Sequence, residues 1–227
     1  MPDLAQLLDT LEAHYGTQSP EWPTDPFLFL VWWHCGYPQS DVRCAKGWES
    51  LRKEIVISPD QLLAASAAQL TLALKPGGMV PELRAMRLKE IAELVEKEFG
   101  GDLFGALKQM PIAQARAALK KFPNIADAGA DRILLFSGIS PVAAVPSNCP
   151  HVLVRIRRGP ESINWGRTYS AAQEMIAAEV APKLDARIRA YLLLKHHGQQ
   201  TCKVNNPKCA VCPVASSCAF LARQKPR

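Results

Sequence analysis

The sequence predicts an all-α protein. Apolar residues recur at helical spacing in almost every segment, strand-like alternation is hard to find, and Pro and Gly fall mostly between the periodic runs. Roughly ten helices are expected. The chain has 227 residues, enough for one large domain or two small ones. With 48% hydrophobic and 21% charged residues it needs no long disordered region. The formal net charge of +6 favours a polyanionic partner.

The elements follow in order. "MPDLAQLLDTLEAHYG" places Leu4, Leu7, Leu8 and Leu11 on one helical face, and its acids stand where a secretory leader would be basic. "SPEWPTDPFL" reads as a connection, ending in Asp25 as an N-cap with Pro26 at the first helical position. The most apolar run, "PFLFLVWWHCGYP", is too short to cross a bilayer, so no membrane is expected and a cytoplasmic protein is. A further helix is expected from about Gln39, and another over "SPDQLLAASAAQL" with Ser58 as its cap. "KPGGM" is a turn. "ELRAMRLKEIAELVEKEFGG" is the clearest amphipathic helix, closed by Gly100. "PIAQARAALKKFPNIADAGADRILLFSG" reads as two helices joined by a tight hairpin about Pro123. "VLVRIRRG", "SAAQEMIAAEV" and "LDARIRAYLLLKHHG" complete the helical set. There is no internal repeat.

The C-terminal stretch "CKVNNPKCAVCPVASSC" holds Cys202, Cys209, Cys212 and Cys218, separated by six, two and five residues. Reduced cytosolic thiols at such intervals point to a metal centre rather than disulfides. A zinc site usually pairs two tight knuckles, whereas here one tight pair has wide arms on both sides. An iron–sulfur cluster is a larger body that such arms suit, and zinc is the alternative. Cys35, Cys44 and Cys149 lie elsewhere and read as small buried hydrophobes.

This cysteine pattern, following "AYLLLKHHGQQTC" at the end of an all-α chain, resembles the endonuclease III family, the iron–sulfur members of the helix–hairpin–helix DNA glycosylases. The resemblance runs from about Asp25 to Cys218 and implies a 4Fe–4S cluster on the four cysteines. It also implies two helical lobes with a DNA cleft between them. One is a helical barrel over 25–138 carrying the hairpin. The other is an iron–sulfur domain formed from 1–24 and 139–227.

The family hairpin reads roughly Leu-Pro-Gly-Val-Gly-x-Lys-x-Ala, and "FPNIADAGADRILLFSG" matches it with Asn124 and Ala126 at the glycine positions. Such a hairpin aims backbone N–H groups at a phosphate from the start of the next helix. Asn124 tolerates positive φ, while Ala126 there would be strained by about 1 kcal/mol. A plain helix–helix connection is the alternative. Lys120, Lys121, Arg132, Arg155, Arg157, Arg158, Lys203 and Lys208 could form one basic face. "CGYPQSDVRCAKGW" resembles the family's stack-inserting segment, with Tyr37 and Gln39 as the residues that would fill the gap left by a flipped base.

The family's catalytic lysine falls at Ala128. Its aspartate falls at Pro146, in "VPSNCPHVLVR", and no acid occurs between Asp131 and Glu161. Alanine is no nucleophile and proline no base. Asp131 is the weak substitute; for Asp127, Cys149 and His151 the structural reading is preferred. The resemblance implies a monomeric DNA-binding protein of base-excision repair that takes double-stranded DNA, damaged or distorted. Abasic-site lyase activity is expected to be absent or very weak. A non-catalytic protein recognising lesions or DNA structure is the alternative, and an electron-transfer protein a more distant one.

Overall fold

The computed structural model describes residues 3–224. Every regular element among them is helical: thirteen α-helices and three short 3-10 turns. None of these helices is long and apolar enough to cross a membrane. The chain divides into two compact units, Glu21–Ile133 and Met1–Pro20 with Leu134–Arg227.

The Glu21–Ile133 unit is built around α2 (Pro26–His34), whose Phe27, Phe29, Leu30, Val31 and Trp32 are buried. As expected, Asp25 caps it, its carboxylate accepting from Leu28 N at 2.9 Å, with Pro26 in the first turn. Apolar on all sides, α2 serves as a central helix, packed against α3 (Asp41–Glu54), α6 (Pro81–Phe99) and α7 (Leu103–Gln109). Burying each large side chain there contributes roughly 1.5–3 kcal/mol. The backbone of α2 is approached very closely at its end. A Cβ on Gly47 would lie 2.2 Å from the Cys35 carbonyl oxygen, and one on Gly77 1.8 Å from it. The buried Arg84 donates to that carbonyl and to Gly78 O and Met79 O, which fixes the "KPGGM" turn.

Local polar chemistry moved some expected boundaries. Helix α3 starts at Asp41, since the chain first turns with Gln39 N donating to Gly36 O. The expected helix over 58–70 is two, α4 (Pro59–Ala64) and α5 (Ala67–Leu74). Ser58 is the N-cap residue of α4 as expected, although its hydroxyl bonds Asp60 rather than a backbone N–H, and Ser66 starts the second helix by accepting from Gln69 N at 3.1 Å. Helix α6 closes at Gly100 in the left-handed conformation, φ 59°, as expected. Then come α7, capped by Asp102, α8 (Ile112–Leu119) and the start of α9 (Asp127–Phe136).

In the second unit, α1 (Leu4–Tyr15) buries Leu4, Leu7, Leu8 and Leu11 against α12 (Leu184–Gln200). Arg189 of α12 reaches back to Asp9 and Glu12. Between them in sequence lie α10 (His151–Arg158) and α11 (Trp165–Glu179), the latter capped by Asn164. After α12 come two 3-10 turns, Cys209–Val211 and Ala215–Ser217, and then α13 (Ala219–Gln224).

Candidate functional site

The hairpin joins α8 to α9. Phe122 is 2% exposed and stacks on Phe99 at 5.9 Å, so the apolar position of the turn is an anchor in the core. Ile125, also buried, packs over Gly129. Asn124 has φ 57°, the left-handed conformation that Asn tolerates better than most residues. Ala126 is not among the positive-φ residues, so the strain expected there is absent. Instead its carbonyl accepts from Ala130 N at 2.9 Å and opens α9. One side chain not foreseen holds the turn. His34, fully buried at the end of α2, donates Nδ1–H to Leu30 O at 2.8 Å. Its Nε2 lies 3.4 Å from Asn124 Nδ2 and accepts from it. Burial pushes the imidazole down to about 4, outweighing the carbonyls of Leu30 and Pro123, which favour the protonated ring.

At the start of α9 the backbone N–H groups of Ala126, Asp127, Ala128 and Gly129 have no acceptor among the described residues. Unpaired donors at a helix N-terminus, reinforced by the helix dipole, suit an anion. Lys120 Nζ pairs with Asp127 Oδ1 at 2.7 Å and Lys121 Nζ with Glu98 Oε2 at 2.5 Å. Both pairs are largely exposed, and such pairs are weak and exchangeable.

Two other named residues, Arg132 and Asp131, are committed elsewhere. The Arg132 guanidinium, 5% exposed, lies 3.9 Å over the Trp22 ring with Phe29 beyond, so it belongs to the core and not to a basic face. Asp131, 1% exposed, is paired with Arg116 at 2.5 Å. Tyr37 is half-buried against Trp33, and Gln39 lies against Gly78. Ala128 is 7% exposed in the first turn of α9. Pro146 is buried, its carbonyl accepting from Cys149 N at 2.9 Å in the turn before α10. Neither position carries a titratable group.

The cysteine loop is gripped by residues the sequence reading placed on a basic surface. Arg155, 5% exposed, holds Glu161 with two nitrogens, donates to Lys203 O at 2.8 Å and Val204 O at 3.1 Å, and lies 4.7 Å over Phe220. Arg157 pairs with Glu179 at 2.9 Å. His151 Nε2 donates to Cys202 O at 2.7 Å, and Cys149 is buried with its Sγ 3.8 Å from Lys195 O. Lys203 and Lys208 are exposed. The His197 Nε2 atom lies 3.8 Å from Cys212 Sγ, while its Nδ1 meets Tyr15 Oη at 2.8 Å.

All four loop cysteines are free thiols. Burial pushes Cys202 up to about 11; Arg155 opposes this, and Cys212 and Cys218 add to it. Cys212 is raised by burial, with Cys218 and Cys209 contributing. The four sulfurs therefore feel one another, and bringing them together as thiolates calls for a cation. Among the described residues, no three His, Cys, Asp or Glu side chains gather as for a single metal ion.

No protein-family model matches the chain. A thymine/uracil-DNA glycosylase of Pyrobaculum aerophilum is 26% identical over 175 residues, 74% of this chain and 69% of that protein. Among solved structures, a thermostable thymine-DNA glycosylase matches with a TM-score of 0.75 at 18% identity, covering 96% of each chain. An endonuclease III in a non-covalent DNA complex matches with 0.73 at 17%, covering 97% of this chain and 95% of that one. The all-α architecture, the hairpin and the extent of these matches lead to one conclusion: the chain has the fold of the endonuclease III-like helix–hairpin–helix DNA glycosylases and resembles that family along nearly its whole length.

Proposed function

We propose that this protein binds double-stranded DNA, damaged or distorted, in base-excision repair, acting as a monomer in the cytoplasm. The observation that carries the reading is the row of unpaired N–H groups at Ala126–Gly129, presented by a turn whose left-handed residue is Asn124. A DNA phosphate is the anion that fits it, with Lys120 and Lys121 exchanging their exposed carboxylate partners for phosphates. Tyr37 and Gln39 are the residues proposed to fill the gap of a flipped base.

The four loop cysteines would hold a 4Fe–4S cluster. Zinc with bonds of about 2.3 Å draws its sulfurs to within about 4 Å of one another, whereas a cube needs them farther apart. The wide arms of the loop suit the larger body. The cluster would supply binding energy that folds the loop. Arg155 and His151 hold the loop through its carbonyls.

No lysine-type strand cleavage is expected, because Ala128 has no amine to attack C1′. Whether a glycosidic bond is still cleaved divides two readings. The thymine/uracil-DNA glycosylase likeness favours a glycosylase, and the apolar Ala128 and Pro146 favour recognition without catalysis. Incubation with duplexes bearing different lesions, followed by alkali to cut abasic sites, separates them. Alkali-dependent breaks at one lesion establish the glycosylase; tight lesion-selective binding with no breaks establishes the recognition protein.

A further inference from the structure

We propose that a second site in this chain, apart from the hairpin, binds a nucleobase by stacking it on Trp165. The site is a cavity of about 490 Å³ within the unit formed by the terminal segments, bordered by Ser147, Asn148, Glu161, Ile163, Trp165 and Val204. That volume falls within the roughly 300–1,000 Å³ usual for small-molecule sites.

Three features select the ligand. The indole of Trp165 is fixed: Nε1 donates to Ser147 O at 3.1 Å, and Tyr169 stacks on one face at 5.0 Å with the planes 20° apart. Half of Trp165 remains exposed, so the ring presents a prepared flat surface to the cavity. Ile163 is fully exposed at the rim, an apolar side chain with nothing to cover it, and offers a second wall. Among the described residues the only acid on the border, Glu161, is held by two nitrogens of Arg155, so the wall is electrically quiet and suits an uncharged ring. The Asn148 side chain is exposed and makes no hydrogen bond to the described protein, and its amide carries both donor and acceptor for the edge of a base. A planar, neutral heterocycle with mixed edges answers all of this. It could arrive as a free nucleoside or as an unpaired base of a DNA strand; the chemistry is the same.

The test is calorimetric titration of the full chain with adenosine, and separately with a short single-stranded oligonucleotide and its abasic counterpart. Adenosine carries no phosphate, so its binding is independent of the hairpin and of the proposed duplex binding. Saturable binding is expected in at least one arm, the oligonucleotide binding more tightly than its abasic counterpart if the source is a strand. Trp165→Phe should keep the affinity, and Trp165→Ala should weaken it about tenfold, in line with base–aromatic stacking. Ile163→Asp, at a position too exposed to affect folding, should also weaken it. The proposal is overturned if neither adenosine nor a base-dependent oligonucleotide binds. It is equally overturned if binding is indifferent to both Trp165→Ala and Ile163→Asp.

Discussion

Replacing Arg155 by Met tests how the cysteine loop is held. Methionine keeps an unbranched stem of similar reach but removes the guanidinium, leaving Glu161 without its partner. The pair is mostly enclosed, with side-chain exposures of 6% for Arg155 and 22% for Glu161. Removing one member of a buried ion pair costs about 3–5 kcal/mol, and the partial exposure of Glu161 puts this case near the lower end. The carbonyls of Lys203 and Val204 also lose their donors, but both residues are exposed and water replaces much of what is lost. The expected loss is about 3 kcal/mol. At 2–4 °C per kcal/mol this lowers the midpoint of thermal unfolding by roughly 6–12 °C. Glu161→Gln alone should destabilise as well, and the double variant by less than the sum of the two, since the second change removes a charge already stranded by the first. An Arg155→Met protein that unfolds within about 0.5 kcal/mol of the native one would refute the clamp.

Three further outcomes are expected. His34 titrates at about 4 in the folded chain against 6.5 when free, so its contribution to stability is complete above pH 6.5 and is lost as pH falls toward 4, by about 3 kcal/mol in all; in His34→Gln the unfolding free energy should fall less steeply across that interval, as read from urea titrations at several pH values. Protein purified without oxygen should contain iron and sulfide in equal amounts, lost in Cys209→Ser and Cys212→Ser, and zinc at one per chain without iron would count against the cluster. Borohydride should trap no adduct between the native protein and an abasic duplex, whereas Ala128→Lys with Pro146→Asp should gain weak trapping; strong trapping by the native protein would point to another lysine such as Lys120 or Lys121.

What was legible in the sequence had local causes. The Asp25–Pro26 start, the Gly100 stop, the leucine face of α1 and the left-handed Asn124 are each decided by a few neighbouring residues. The break between α4 and α5 was missed because neither Pro nor Gly marks it; Ser66, inside an alanine-rich run, starts the second helix by accepting from Gln69 N. The short α7 and α13 lack the two or three turns that make a period visible. Charged residues misled most. Arg132 and Arg155 look like surface cations in sequence. Their burial depends on partners distant in the chain, Trp22 for one and the loop carbonyls with Phe220 for the other. His34, too, appears in sequence only as a polar residue in an apolar run, and its meeting with Asn124 spans ninety residues.

Phosphate binding by the backbone N–H groups at the start of α9, as proposed, can be tested one donor at a time. Asp127 is the first residue of that helix, where proline is accommodated and removes an N–H that has no partner among the described residues. Asp127→Ala removes the same carboxylate but keeps the N–H, so the two variants differ in the donor while matching in charge. The measurement is duplex DNA affinity of both variants at several salt concentrations. Asp127→Ala should bind as tightly as the native protein or more so, with a steep fall as salt rises. Asp127→Pro should bind about tenfold more weakly than Asp127→Ala, the size of one hydrogen bond to a charged acceptor. Equal affinities for the two variants, or binding indifferent to salt, would show that these N–H groups do not hold a DNA phosphate.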